Sequence, residues 1–98
     1  MRYDILLSLG AVVELRSLPA FQRAQVRDAI ELHLRHEPAK VSKSRIKRLR
    51  GLSHPQFRLR VGEVRVFYDV TESTVEVLAI VEKQEAERWI AQEGEESP

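Results

Sequence analysis

The sequence predicts an α+β fold: a small antiparallel sheet of about four strands with an N-terminal helical hairpin and a C-terminal helix, in the order β-α-α-β-β-β-α. Three observations carry this reading. Val26, Ile30 and Leu34 recur at helical spacing within residues 20–37. Two alternating runs, residues 56–61 and 64–70, flank a Gly62-Glu63 pair of hairpin length. A third run, "VEVLAIV" at residues 75–81, is apolar enough for a strand paired on both sides. With 98 residues, 43% of them hydrophobic, the chain holds one domain over residues 1–92. Residues 93–98 read as an acidic, disordered tail.

The elements follow in order. Residues 3–8, "YDILLS", form the first strand, ended by Gly10, and residues 11–18 a short helix with Val12, Leu15 and Leu18 on one side. Pro19 suits the first turn of the next helix, where its missing N–H costs nothing. In that long helix Ala29 supports the apolar stripe, while Phe21 and Leu32 lie opposite it, so the helix is expected to touch both its predecessor and the sheet. Pro38 ends it. Residues 39–44 are a basic connector, residues 45–50 alternate weakly as a marginal strand, and residues 51–55 are a loop. After the polar turn at 71–74 and the apolar strand, Ala86, Trp89 and Ile90 give the C-terminal helix its packing side.

Several function classes drop out. The chain has no cysteine, hence no disulfide framework or thiolate metal site, which suits a reducing cytosol. His33 and His36 stand at i, i+3 without a third ligand, so no metal or other cofactor is expected. No stretch approaches the ~20 apolar residues of a membrane span, and Asp4 interrupts any secretory pattern after Met1 and Arg2. A cytoplasmic protein without a membrane partner or small-molecule substrate is expected.

The net charge of +1 conceals a split. Residues 40–65 carry nine basic groups against Glu63, a net of +8, and the remainder carries −7. Such a patch creates a local field for an anion. Within it, "QFRLRVGEVRVFYDV" places Gln56, Arg58, Arg60, Arg65 and Phe67 on one face of a hairpin and Phe57, Leu59, Val61, Val64, Val66 and Tyr68 on the other. Like charges directly opposite across strands destabilise a sheet, so a bound anion that offsets them is expected. Arginine suits phosphate because its fixed fork presents paired donors and stays charged. Phe67 beside Arg65 offers a face for a splayed base, the pattern of single-stranded nucleic-acid binding. The alternatives are an acidic protein partner, or internal pairing with Glu76, Glu82 or acids of the C-terminal helix.

"YDILLS", "RLRG", "FRLRVGEVRVFYDV" and "VEVLAIVEKQE" together resemble the RelE/ParE toxins of bacterial toxin–antitoxin pairs, over nearly the whole chain. The most specific positions are Leu49, Gly51, Arg58, Arg60, Gly62, Arg65, Phe67 and Tyr68. The resemblance implies a cytoplasmic toxin neutralised by a cognate protein antitoxin and, on the RelE side, an endoribonuclease that cuts mRNA on the ribosome. The alternatives are a ParE-like inhibitor of DNA gyrase and a degenerate member that only binds its antitoxin.

The implied cleavage needs no metal: the 2′-hydroxyl attacks the adjacent phosphate, and cations stabilise the phosphorane. Arg58 and Arg60 match the family's basic pair and Arg65 its hairpin arginine, the one expected at the leaving oxygen. Lys43, Arg45, Lys47, Arg48 and Arg50 are expected to meet RNA phosphates, with Phe67 under a base. The chain departs from the family at the end of the site. Gln84 stands at the family's arginine position with Lys83 beside it as the catalytic cation, and no tyrosine follows Tyr68. A general base must come from Glu82, Glu85 or His54, with Glu82 the first choice.

Overall fold

Ser8 ends strand β1 (Asp4–Leu7), and its hydroxyl accepts the Ala11 N–H at 3.0 Å, capping helix α1 (Leu9–Ser17). Pro19 is the N-cap of helix α2 (Ala20–Leu34) rather than a residue of its first turn. The Arg23 guanidinium donates to the carbonyls of Arg16 and Leu18, which fastens the corner between the two helices. Strands β2 (Ile46–Arg48), β3 (Leu52–His54), β4 (Phe57–Val61), β5 (Val64–Val70) and β6 (Thr74–Glu82) follow. A single 3-10 turn, Lys83–Glu85, leads into helix α3 (Ala86–Glu93) and strand β7 (Glu95–Glu96). The computed structural model describes residues 1–98.

Five strands form the main sheet in the order β1-β6-β5-β4-β2, one more than expected, because the marginal run in residues 45–50 does pair. The sheet is mainly antiparallel, with β1 parallel to β6. Gly62, at φ +57°, makes the tight turn, so that Val61 opposes Val64 and Arg60 opposes Arg65 as the alternation predicts.

Helices α1 and α2 cover one face. Val26, Ile30 and Leu34 meet Leu59, Val66, Tyr68, Val75 and Val77 in the core. Phe21 and Leu32 do not reach a second surface: they are 74% and 75% exposed, because α2 lies flat on the sheet and turns that side to solvent. The helix also stops at Leu34, short of Pro38.

A bulge in β6 redirects its side chains. Tyr68 opposes Val77 while Phe67 opposes Ala79, leaving Leu78 as the extra residue. Up to Val77 the odd positions face the helices, and beyond the bulge Ile80 and Glu82 do. The polar groups around the bulge are bonded: the Ser8 hydroxyl donates to the Leu78 carbonyl and the Ile80 N–H to the Glu14 carboxylate, both at 3.0 Å.

Helix α3 lies on the opposite face, where Trp89 stacks on Phe67 with ring centroids 5.0 Å apart and 8° between planes. The tail is not disordered as predicted. Glu95 and Glu96 pair with His54 and Leu52, within what was read as a plain loop, and the Ser97 N–H donates to the Gly51 carbonyl. Main-chain bonds that no side-chain pattern announces hold these residues.

Candidate functional site

The register turns the basic segment into a two-dimensional array. Residues directly opposite each other in antiparallel strands share a face, so Lys47 of β2 joins Arg58 and Phe67 in one line across the sheet. Arg60 and Arg65 form the next line, which Arg45 extends: its carbonyl accepts the Arg60 N–H at 2.8 Å. Lys83, just past β6, is tied to the hairpin turn by its N–H to the Glu63 carbonyl at 2.7 Å.

Between this face and α3 opens a cleft of about 560 Å³. Lys47, Arg58, Arg65 and Lys83 supply its cations, Glu87 its one acid, and Leu49, Phe67 and Ile90 its apolar wall. Arg45 and Arg60 line a smaller depression beside Gly62. None of these six cations forms an ion pair; the four ion pairs of the molecule are Arg35–Glu31, Lys40–Glu37, His54–Asp69 and Arg88–Glu85. Internal neutralisation by Glu76, Glu82 or acids of α3 is therefore absent.

Arg65 is held firmly, and Arg58 is enclosed without a partner. Arg65 is buried and donates to the carbonyls of Gly62 at 2.7 Å and Val64 at 3.1 Å. Burial pulls its guanidinium below the usual range, and Arg60 adds to this while Glu63 opposes it. Burial likewise lowers Arg58, with Arg65 and Arg60 contributing, and its Nε is buried without a hydrogen-bond partner. Arginine stays protonated through such shifts, so the cost appears as uncompensated charge that a bound anion would relieve.

Other expected residues are placed differently. Phe67 is 1% exposed, and Trp89 occupies the ring face that was to hold a base, so no open platform exists here. Glu82 opposes Val64, which puts its side chain on the face of the helices, and it accepts from the Gln84 amide at 2.8 Å. The bulge at Leu78 is the physical reason, because it reverses the phase of the strand. Arg48 also points away from the array; it opposes Phe57 and lies 5.1 Å over that ring. Lys43 and Arg50 are exposed on the segments flanking β2. His33 and His36 do not converge with any third ligand-type side chain.

One pair went unforeseen. Asp69 is 5% exposed, and its carboxylate takes the His54 Nδ1 at 2.5 Å and the Gln56 N–H at 2.8 Å. The signal was present: Asp69 has the same strand parity as Arg65 and Phe67, so an acid on the cationic face was legible.

No protein-family model and no curated protein matches the chain. Solved structures do. A chain of the archaeal RelE–RelB complex from Pyrococcus horikoshii OT3 matches with a TM-score of 0.69 and 24% identity over 85% of this chain and 97% of that one. A chain of the toxin–antitoxin complex RelBE2 from Mycobacterium tuberculosis matches at 0.66 and 26%, covering 84% of this chain and 99% of that one. The RelB–RelE antitoxin–toxin complex from Methanococcus jannaschii gives 0.66 and 20%, covering 86% and 96%. The molecule thus has the fold of the RelE toxins.

Proposed function

We propose that this chain is the toxin of a type II toxin–antitoxin pair: a cytoplasmic endoribonuclease that cuts mRNA on the ribosome without a metal and is restrained by a cognate protein antitoxin. One observation carries the reading, namely six cations converging on one sheet face and its cleft without an ion pair. In the proposed step the 2′-oxygen attacks phosphorus, and Arg58 and Arg65 face the charge that grows on the phosphorane. Arg60 and Lys83 add field, and Lys43, Arg45, Lys47 and Arg50 hold flanking phosphates without reading sequence. The antitoxin is supported by the RelE relatives, whose structures are those of RelE–RelB complexes.

A second reading draws on the covered Phe67 and the absence of a tyrosine after Tyr68. It makes the chain a non-nucleolytic member that inhibits DNA gyrase or only binds its antitoxin. The deciding experiment incubates purified protein with programmed ribosomes and maps mRNA 5′ ends, beside a gyrase supercoiling assay. Discrete new 5′ ends support the endoribonuclease. Intact mRNA, with or without loss of supercoiling, overturns it.

A further inference from the structure

We propose that His54, positioned by Asp69, is the general base of the cleavage; the inference rests on the endoribonuclease reading. The reaction needs a group to take the 2′-hydroxyl proton, and three of the residues that could do so, Tyr68, Glu82 and Glu85, are otherwise placed, while Glu87 of the cleft has no partner that would hold it as His54 is held. Tyr68 is buried, its hydroxyl donates to the Pro38 carbonyl at 2.6 Å, and burial pushes its phenol up, away from neutral pH. Glu82 lies on the helix-covered face, and Glu85 pairs with Arg88 at 3.4 Å.

His54 has what a base requires. Its side chain is 51% exposed, its Nδ1 faces the buried Asp69 carboxylate, and its Nε2 bonds no protein atom. The Gln56 N–H fixes the other oxygen of Asp69, and the Gln56 amide oxygen in turn accepts the Val70 N–H at 2.8 Å. A carboxylate so held keeps the proton on Nδ1, leaves the Nε2 lone pair outward, and stabilises the imidazolium once a proton arrives.

Asp69 also shares a sheet face with the arginines, since it follows Arg65 and Phe67 in strand parity. One pleat repeat of about 7 Å separates it from the line holding Arg58 and Phe67. His54 and Asp69 do not line the cleft itself, so the RNA strand would have to extend past Phe67 to bring a 2′-oxygen to Nε2. Arg58, opposite Phe67 on β4, carries a buried Nε without a hydrogen-bond partner. Other charged groups on the surrounding elements are Glu76, opposite Asp69 on β6, Glu95, opposite His54 on β7, and Arg50 ahead of β3.

The step balances without a further reactant. The 2′-hydroxyl proton passes to Nε2 as the O2′–P bond forms, the P–O5′ bond breaks, and the departing oxygen takes a proton from water. The products are a 2′,3′-cyclic phosphate and a 5′-hydroxyl, and the imidazolium returns its proton to solvent.

The test measures mRNA cleavage on programmed ribosomes across about pH 5 to 8, where imidazole titrates. The unsubstituted protein should show an acid limb. His54→Ala should cleave about 100-fold more slowly or worse, lose that limb, and recover in part with added imidazole. Asp69→Asn should cleave more slowly than the unsubstituted protein while leaving substrate affinity unchanged, since the imidazole loses the acceptor that orients its Nδ1. Melting curves check folding, and if Asp69→Asn unfolds, His54→Ala with imidazole decides. A His54→Ala protein that cleaves at the unsubstituted rate with the same limb overturns the inference and leaves the endoribonuclease standing. An unsubstituted protein that cuts no mRNA at any pH overturns both.

Discussion

Replacing Tyr68 by Phe removes one oxygen from the centre of the core and separates two roles that a tyrosine in such a protein could have. The ring is fully buried and stacks on Phe57 at 5.5 Å between centroids, an arrangement that Phe preserves. What disappears is the 2.6 Å bond to Pro38, whose carbonyl remains buried without its donor. Leaving a buried carbonyl unpaired costs about 1–3 kcal/mol, so a loss of about 1.5 kcal/mol is expected. For a domain of this size that corresponds to roughly 6–12 °C in Tm. Urea titration at constant m-value gives the energy and calorimetry the Tm. The rate of mRNA cleavage per folded molecule should be unchanged, because the phenol does not reach the cleft. A stability loss below about 0.3 kcal/mol would refute the hydrogen-bond argument. A collapse of cleavage with the fold intact would return Tyr68 to the chemistry and remove the need for His54.

Three further outcomes follow from the same geometry. Arg60→Gln relieves the cross-strand clash with Arg65, so at low salt the protein should gain about 0.3 kcal/mol while cleavage falls about 10-fold or more; a variant neither more stable nor less active contradicts the array. Trp89→Ala removes the Phe67 stack from an eight-residue helix that has no fully buried residue, which should weaken docking of α3 by about 2 kcal/mol. Amide exchange in α3 should then accelerate while β5 stays protected, and unchanged protection of α3 would mean that something else anchors it. Burial raises the Glu14 carboxyl above its ordinary range, with the Ile80 N–H partly opposing, so the fold prefers the protonated form. Its contribution is full below the unfolded carboxylate range and is lost as pH rises through the raised folded value. Glu14→Gln keeps an acceptor for Ile80 and should melt higher than the unsubstituted protein near pH 7, with the gap closing toward about pH 4; a gap that widens in acid would reverse the sign.

What could be read from the sequence was local. The hairpin register came from two turn residues, and the division of Arg58, Arg60 and Arg65 from Leu59, Val64 and Val66 followed from alternation alone. Contacts between distant segments were not legible. Phe67 looked like an open ring because Trp89, twenty-two positions on, gives no sign of crossing to that face. Glu82, expected as the general base, turns to the helix face because of a bulge at Leu78 that no glycine marks. The glutamates of the tail run against strand propensity, and their ladder with Leu52 and His54 rests on main-chain bonds. Asp69 differs: its strand parity places it among the cations, but nothing in the spacing ties it to His54, fifteen positions away.

The parallel pairing of β1 with β6 sets a timetable for the molecule's birth. Asp4 meets Thr74 and Leu7 meets Val77, so the first strand waits some seventy residues for its neighbour. The arginine hairpin, closed by a two-residue turn, can form soon after it is made, whereas the sheet beneath it stays open until residues 74–82 have emerged. During that interval Ile5 and Leu7 lack their strand partner, so a protein proposed to halt translation carries its arginine hairpin before the sheet that supports it has closed.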